Sequence, residues 1–169
     1  MNIIFLGGRQ AGCIGLLTLK AMGHSIPAAV CYDDNVRDIA LRLGVPRVFQ
    51  SAKHVPMKMY DEADLLVSVH GREILPKIIF DSPARGALNV HPCLSRYPGK
   101  NPVKRLLKDG ETMASVGVHR MTEVLDSGEV VKEVYVDVEG KRTVDEVYNA
   151  LYPVYSIALM EAVNRIERI

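Results

Sequence analysis

Residues 2–34 read NIIFLGGRQAGCIGLLTLKAMGHSIPAAVCYDD, and their order of apolar runs and glycines decides the fold. Asn2 to Leu6 form a short apolar run ended by Gly7 and Gly8, the pattern of a buried strand leaving into a turn. "CIGLLTLKAM" then carries apolar residues at helical spacing and stops at Gly23, and "IPAAVCY" is a second apolar run closed by Asp33 and Asp34. Strand, helix and strand make a βαβ unit, whose two strands run parallel because the helix carries the chain back.

Outward from this unit the alternation continues. "NVRDIALRLG" predicts a short amphipathic helix closed by Gly44, "PRVFQ" a brief strand, and "ADLLVSVHG" a further apolar strand. "REILPKIIF" predicts a turn or short helix interrupted by Pro76, "GALNV" a strand, and "NPVKRLLKDG" a helix with Gly110 past its end. Ser115 to Met121 and Glu129 to Val136 are β-rich and are joined by "TEVLDSG", whose Asp-Ser-Gly is turn chemistry, so these two strands are expected to pair antiparallel. Thr143 and Glu146 form a capping box ahead of Val147, Leu151, Val154, Ala158, Ala162 and Ile166, a helical stripe that Pro153 is expected to bend or split. The expected class is α/β: a Rossmann-like, mainly parallel sheet flanked by helices, in one domain over residues 1–169, with function at the carboxyl ends of its strands.

Composition narrows the partners. With 48% hydrophobic residues the chain can bury a real core, and 21 Lys plus Arg against 20 Asp plus Glu leave a net charge of +1, too little for a broad nucleic-acid footprint. No apolar stretch approaches the roughly 18 residues of a membrane span. Cys13, Cys31 and Cys93 are odd in number and widely spaced, without a CxxC pair, which fits a reducing, cytoplasmic setting. The strand pair and bent final helix could serve a homodimer as well as the core.

The turn "GGRQAGCIG" stands where a dinucleotide or phosphate loop would, yet no frame gives G-x-G-x-x-G, and Cys13 and Ile14 follow Gly12 where a P-loop needs Lys and Ser or Thr. Asp33 and Asp34 keep a weak nucleotide reading open, that of a ribose-binding acid. The exposed amides of the helix start at Gly8, Arg9 and Gln10 could instead hold an anionic or sugar part of a substrate. His24, His54, His70, His91 and His119 show no metal-ligand spacing, so no metal is expected. His70 ends an apolar strand and could face the same crevice as His91, whereas His119 reads as a satisfied, half-buried histidine. Cys93 beside His91 is only a weak candidate for a nucleophile. Asn89 and His91 stand two apart at a strand end and therefore share a face. With Asp126 in the turn between the last two strands they form the constellation expected to carry polar catalysis, a structural hydrogen-bonded pair being the alternative.

Three stretches resemble the folate-dependent formyltransferases, the family of the glycinamide ribonucleotide, methionyl-tRNA and sugar N-formyltransferases. "DLLVSVHGREILPKII" is similar to the family's strand and folate-binding loop, "GALNVHPCLSRYPGKNPVKRLLKDG" to its Asn-x-His strand with the loop and helix that follow, and "VGVHRMTEVLDSGEVV" to the strand and loop bearing its catalytic Asp. Cys93 stands where the family usually has Ser, and the Gly-Asn-Gly-Ser-Asn phosphate loop of the glycinamide ribonucleotide enzymes is replaced by "GGRQAGCIG". The turn looks most like that of the sugar N-formyltransferases, and 169 residues leave no room for a carboxy-terminal barrel domain.

The resemblance implies 10-formyltetrahydrofolate as formyl donor and a small primary amine as acceptor, an amino sugar or nucleotide-linked amino sugar. Asn89 and a protonated His91 would bind the oxyanion, and Asp126 would charge His91 and take the amine proton. Arg72, Glu73, Ile74 and Leu75, with Thr122, Glu123, Val124 and Leu125, would grip the pterin. Alternatives left open are a formyltetrahydrofolate hydrolase, a methionyl-tRNA formyltransferase-like enzyme and a nucleotide-binding module without chemistry.

Overall fold

The computed structural model describes residues 1–168. Its strands are β1 (Asn2–Gly7), β2 (Ser25–Cys31), β3 (Val48–Phe49), β4 (Leu65–Val69), β5 (Ala87–Pro92), β6 (Met113–Arg120) and β7 (Val130–Asp137). Between and after them lie helices α1 (Arg9–Ala21), α2 (Asp34–Arg42), α3 (Met57–Asp61), α4 (Lys77–Phe80), α5 (Pro102–Lys108) and α6 (Val144–Glu167), with a 3-10 turn at Ala52–His54. The strands make one seven-stranded sheet in the order β3-β2-β1-β4-β5-β6-β7. β3 through β5 run parallel, and β6 and β7 are added antiparallel.

The central strands are apolar on both faces because both faces are covered. Along β1, Ile3 and Phe5 join the core beneath α1 and α6, where Leu16, Leu19, Leu151 and Leu159 are buried. Ile4 and Leu6 alternate into a second core with Tyr60, Leu66, Ile79 and Phe80 on the opposite face. The order of the sheet reverses at β1: the chain moves from β1 outward to β2 and β3, then returns to place β4 on the other side of β1. A crevice opens at the carboxyl ends of two strands that diverge in this way, the usual ligand position in such sheets.

Several local expectations are revised. α1 begins at Arg9, four residues before its apolar stripe, because the side chain of Asp33 accepts a hydrogen bond from Arg9 N at 2.5 Å and so satisfies the helix start from across the sheet. Pro76 precedes α4 at its N-terminal boundary, where a missing N–H costs nothing, and does not interrupt a helix. Pro153 lies within α6 without splitting it, since the 24-residue helix is held by packing on α1, β6 and β7. The capping box at its start is present, Thr143 accepting from Glu146 N at 3.2 Å and Glu146 accepting from Thr143 N at 2.9 Å. The short α3 and the 3-10 turn lack a readable apolar stripe and were absent from the sequence expectation.

Two glycines of the first turn are there for packing. A Cβ on Gly12 would stand 2.9 Å from the carbonyl carbon of Gly7, and one on Gly15 would meet Val69 Cγ2 at 2.8 Å. Gly12→Ala is therefore expected to destabilise the fold by about 1–3 kcal/mol, as overpacking does. Urea denaturation checks this, and an unchanged midpoint would show that the start of α1 yields more easily than its contacts imply.

Candidate active site

β5 carries Asn89 and His91 on one face, at the end of the sheet where α1 also begins. Its antiparallel partner β6 sets His119 directly opposite Asn89 and Gly117 opposite His91. Gly117 is required because a Cβ there would lie 2.5 Å from Leu94 Cβ in the turn that follows β5. The connection from β6 to β7 then folds back over the strand ends with Asp126 in a left-handed conformation, φ +51°. Gly128 lets that connection close, since a Cβ there would sit 1.8 Å from the carbonyl oxygen of Arg120.

The carboxylate of Asp126 gathers these pieces. Its Oδ1 accepts from Asn89 Nδ2 at 3.3 Å and stands 3.4 Å from His119 Nε2, while its Oδ2 accepts from Gly99 N at 2.8 Å and stands 3.4 Å from His91 Nε2. Asn89 Nδ2 also lies 3.2 Å from His119 Nε2. The hydrogen bond with His119, with the nearby His91 and Gly99, holds the Asp126 carboxyl down at about 2, so it is ionised across the neutral range.

His91 behaves otherwise than expected. Burial pushes its pKa down, and this outweighs the carboxylate of Asp126, which pushes it up. Nε2 donates to Gly99 O at 3.1 Å, while Nδ1 is buried and makes no hydrogen bond of its own. The imidazole is neutral in this site and is not the imidazolium that the sequence reading assigned. Gly99 is held in place by Arg105, whose guanidinium donates to the carbonyls of Tyr97 at 2.7 Å and Pro98 at 2.5 Å.

Two cavities meet at Asn89 and His91. The first, of about 280 Å³, has apolar walls in Ile74, Leu75, Phe80, Met121 and Leu125, and is bordered by Arg72, Glu73, Thr122 and Glu123. The second, of about 230 Å³, is lined by Arg9, His70, Arg72 and Tyr148 beside Asn89 and His91. Of the residues expected to bind ligand, Val124 is 68% exposed and lines neither cavity. Gly8 and Gln10 also stand outside both cavities, and the Gly8 amide is already committed to Val69 O at 3.1 Å. The side chain of Glu73 turns away to accept from Tyr32 Oη at 2.9 Å, Ser51 Oγ at 2.5 Å and Ala52 N at 2.8 Å, which anchors the loop after β4. Asp33, the candidate ribose acid, is committed to Arg9 N and to Val36 N at the start of α2, so the nucleotide reading loses its acceptor.

His70 does share the crevice with His91, as expected, and burial lowers its pKa to about 4. His119 is buried and satisfied, but its partners are Asn89 and Asp126, so it belongs to the site; only the register of β5 against β6 reveals this. Cys93 is buried with its thiol pKa pushed up, the wrong direction for a nucleophile. Among the described residues no group of three or more His, Cys, Asp or Glu is placed to hold a metal ion, and no helix is long and apolar enough to cross a membrane.

The family model described as formyl transferase matches residues 1–163, almost the whole chain. The chain belongs to the formyl transferase family. Among curated relatives, the methionyl-tRNA formyltransferase of Neisseria meningitidis is 26% identical over 185 residues, covering 99% of this chain and 60% of that protein. The chain thus spans about 60% of the length of the relative it matches. Among solved structures, a phosphoribosylglycinamide formyltransferase from Anaplasma phagocytophilum superimposes with a TM-score of 0.82 at 19% identity, covering 96% of this chain and 85% of that one. A formyltetrahydrofolate deformylase from Pseudomonas syringae pv. tomato gives 0.81 at 18%, covering 99% and 61%. These likenesses show the formyl transferase fold, a mainly parallel sheet flanked by helices.

One consequence of burying His70 in this crevice is a pH-dependent stability. The folded protein keeps His70 neutral down to about pH 4, while the unfolded chain takes up a proton near 6.5. Stability is therefore lost as pH falls through that window, by up to about 3 kcal/mol. His70→Asn, which tolerates the left-handed backbone, should flatten this slope in urea titrations between pH 4.5 and 7. Parallel slopes in parent and variant would mean that His70 titrates normally.

Proposed function

We propose that the chain catalyses transfer of a formyl group from 10-formyltetrahydrofolate to a primary amine, the donor filling the first cavity and the acceptor the second. The observation that carries this reading is that both cavities open onto the same Asn89–His91 pair, so two substrates can meet there. The apolar walls at Ile74, Leu75, Phe80 and Leu125 suit a flat heteroaromatic ring, with polar atoms at the rim for its edges.

The amine nitrogen attacks the formyl carbon, and the carbonyl oxygen becomes an oxyanion. The Asn89 amide and the Nε2–H of a neutral His91 donate to it, the latter by exchanging its bond to Gly99 O for one to substrate. Asp126 is too acidic to deprotonate a free amine, but it is ionised and can take the proton once the attacking nitrogen has become cationic, directly or through a water. The proton then passes to the departing folate nitrogen as the adduct collapses. His119 keeps Asp126 oriented from below.

The acceptor in this reading is a small amino sugar, free or nucleotide-linked, supported by a second cavity of about 230 Å³. The methionyl-tRNA formyltransferase of Neisseria meningitidis, which matches 99% of the chain, favours a second reading in which the amine is that of an aminoacyl-tRNA. Three unpaired cysteines support a cytoplasmic setting.

Asn89→Ala and His91→Ala are each expected to lower kcat by roughly 10²–10³-fold, the range for loss of an oxyanion donor. Asp126→Asn, which keeps the shape and removes the charge, should cost at least as much while circular dichroism stays unchanged. Following tetrahydrofolate release with a panel of amino sugars and with methionyl-tRNA tests both acceptors, and activity within a few fold of the parent removes the altered residue from its role.

A further inference from the structure

We propose that Arg105 is a positioning residue of this site: through the peptide group joining Pro98 to Gly99 it fixes the Asp126 carboxylate and the His91 ring. The inference rests on the formyl-transfer reading and adds to it a residue that lines neither cavity.

The route is a single peptide plane. Pro98 O accepts from Arg105 Nη2 at 2.5 Å, and Gly99 N, at the other end of the same peptide, donates to Asp126 Oδ2 at 2.8 Å. The carbonyl and the N–H of a trans peptide point in opposite directions, so a guanidinium that holds the carbonyl also aims the N–H. The next carbonyl, Gly99 O, accepts from His91 Nε2 at 3.1 Å, which keeps the ring proton on the nitrogen that faces Asp126. Gly99 has φ +84°, and this sharp turn lets one residue meet both the imidazole and the carboxylate.

The surroundings of Arg105 hold it to this task. It lies on α5 between Val103 and Leu106, both buried, and its guanidinium reaches back over the loop that follows β5. The same Nη2 donates to Tyr97 O at 2.7 Å, and Cζ lies 5.5 Å from the centroid of the Tyr97 ring. That ring is buried, and its hydroxyl donates to Asp109 Oδ2 at 2.8 Å, so it is a fixed shelf on which cation–π attraction keeps the guanidinium. Arg105 Nε is buried without a hydrogen bond, and the guanidinium makes no ion pair among the described residues. Its charge is directed at the two carbonyls, where a charge-assisted bond is stronger than a neutral one and polarises the peptide it holds.

With the hydrogen bond to His119 and the nearby His91, the Gly99 N–H keeps the Asp126 carboxyl down at about 2. His119 and His91 face the carboxylate from β6 and β5, and Lys100 and Glu123 border the same cavity. Without Arg105 the peptide turns, Gly99 N leaves the carboxylate, and Gly99 O no longer selects the protonated nitrogen of His91.

The test is NMR on the ligand-free protein, isotope-labelled at histidine nitrogen and aspartate carboxyl carbon, in the parent, Arg105→Gln, Arg105→Lys and Tyr97→Phe. Tyr97→Phe frees the same loop from Asp109 but keeps the ring, the guanidinium and both carbonyls. In Arg105→Gln the Asp126 carboxyl is expected to titrate roughly one pH unit higher, and the His91 ring signals to move toward a mixture of tautomers. Arg105→Lys should fall between the two, and Tyr97→Phe should match the parent. Tetrahydrofolate release with an acceptor that the parent formylates should show kcat lowered about 10–100-fold in Arg105→Gln, with the donor KM unchanged. Unshifted Asp126 and His91 signals in Arg105→Gln, or equal shifts in Tyr97→Phe, overturn the proposal. Should Arg105→Gln fail to fold by circular dichroism, Arg105→Lys decides alone, and an Asp126 titration equal to the parent's overturns the role. Titration of the parent with 5-formyltetrahydrofolate is run beside it. Absence of binding overturns the formyl-transfer reading, while the ligand-free signals still decide the tie of Arg105 to Asp126; folate binding with unshifted signals overturns the positioning role alone.

Discussion

Everything at this site hangs from the Asp126 carboxylate. It lies in a turn between two antiparallel strands and reaches Asn89 and His91 on β5, His119 on β6 and the backbone of Gly99 beyond β5. Three chain segments, β5, β6 and the loop at Gly99, are thereby fixed to one pair of oxygens. Removing a buried anion from water is unfavourable unless it is fully hydrogen-bonded, and the number of donors here meets that condition. The same arrangement makes the carboxyl group a strong acid. In the proposed reaction its part is therefore to receive a proton from an already activated nitrogen and to keep Asn89 and His91 oriented.

The parts that could be read in the chain before folding were those set by local periodicity. The βαβ unit, the hairpin of β6 and β7 and the capping box at Thr143 follow from spacing within one segment, and each formed as expected. The errors arose where a distant residue completes a local element. α1 starts early because Asp33 reaches over from the end of β2, and α6 passes through Pro153 because its flanks are held by three other elements. Asn89, His91 and Asp126 were legible from residue type and position. His119 was visible as a histidine in a strand, but only the antiparallel register reveals that it faces Asn89.

The charge on His91 could not be read in advance either. A neighbouring carboxylate suggests an imidazolium, yet the ring is buried and the cost of desolvating its charged form is the largest effect on its pKa. Desolvation wins, and a neutral imidazole donates instead.

The two cavities share Asn89 and His91 of β5 and Gly71 and Arg72 of the loop after β4. Beyond these the first is closed by Ile74, Leu75 and the turn after β6, the second by Arg9 at the start of α1, His70 and Tyr148 of α6. A substitution confined to Arg9 or Tyr148 therefore reshapes the second cavity without touching the apolar walls of the first.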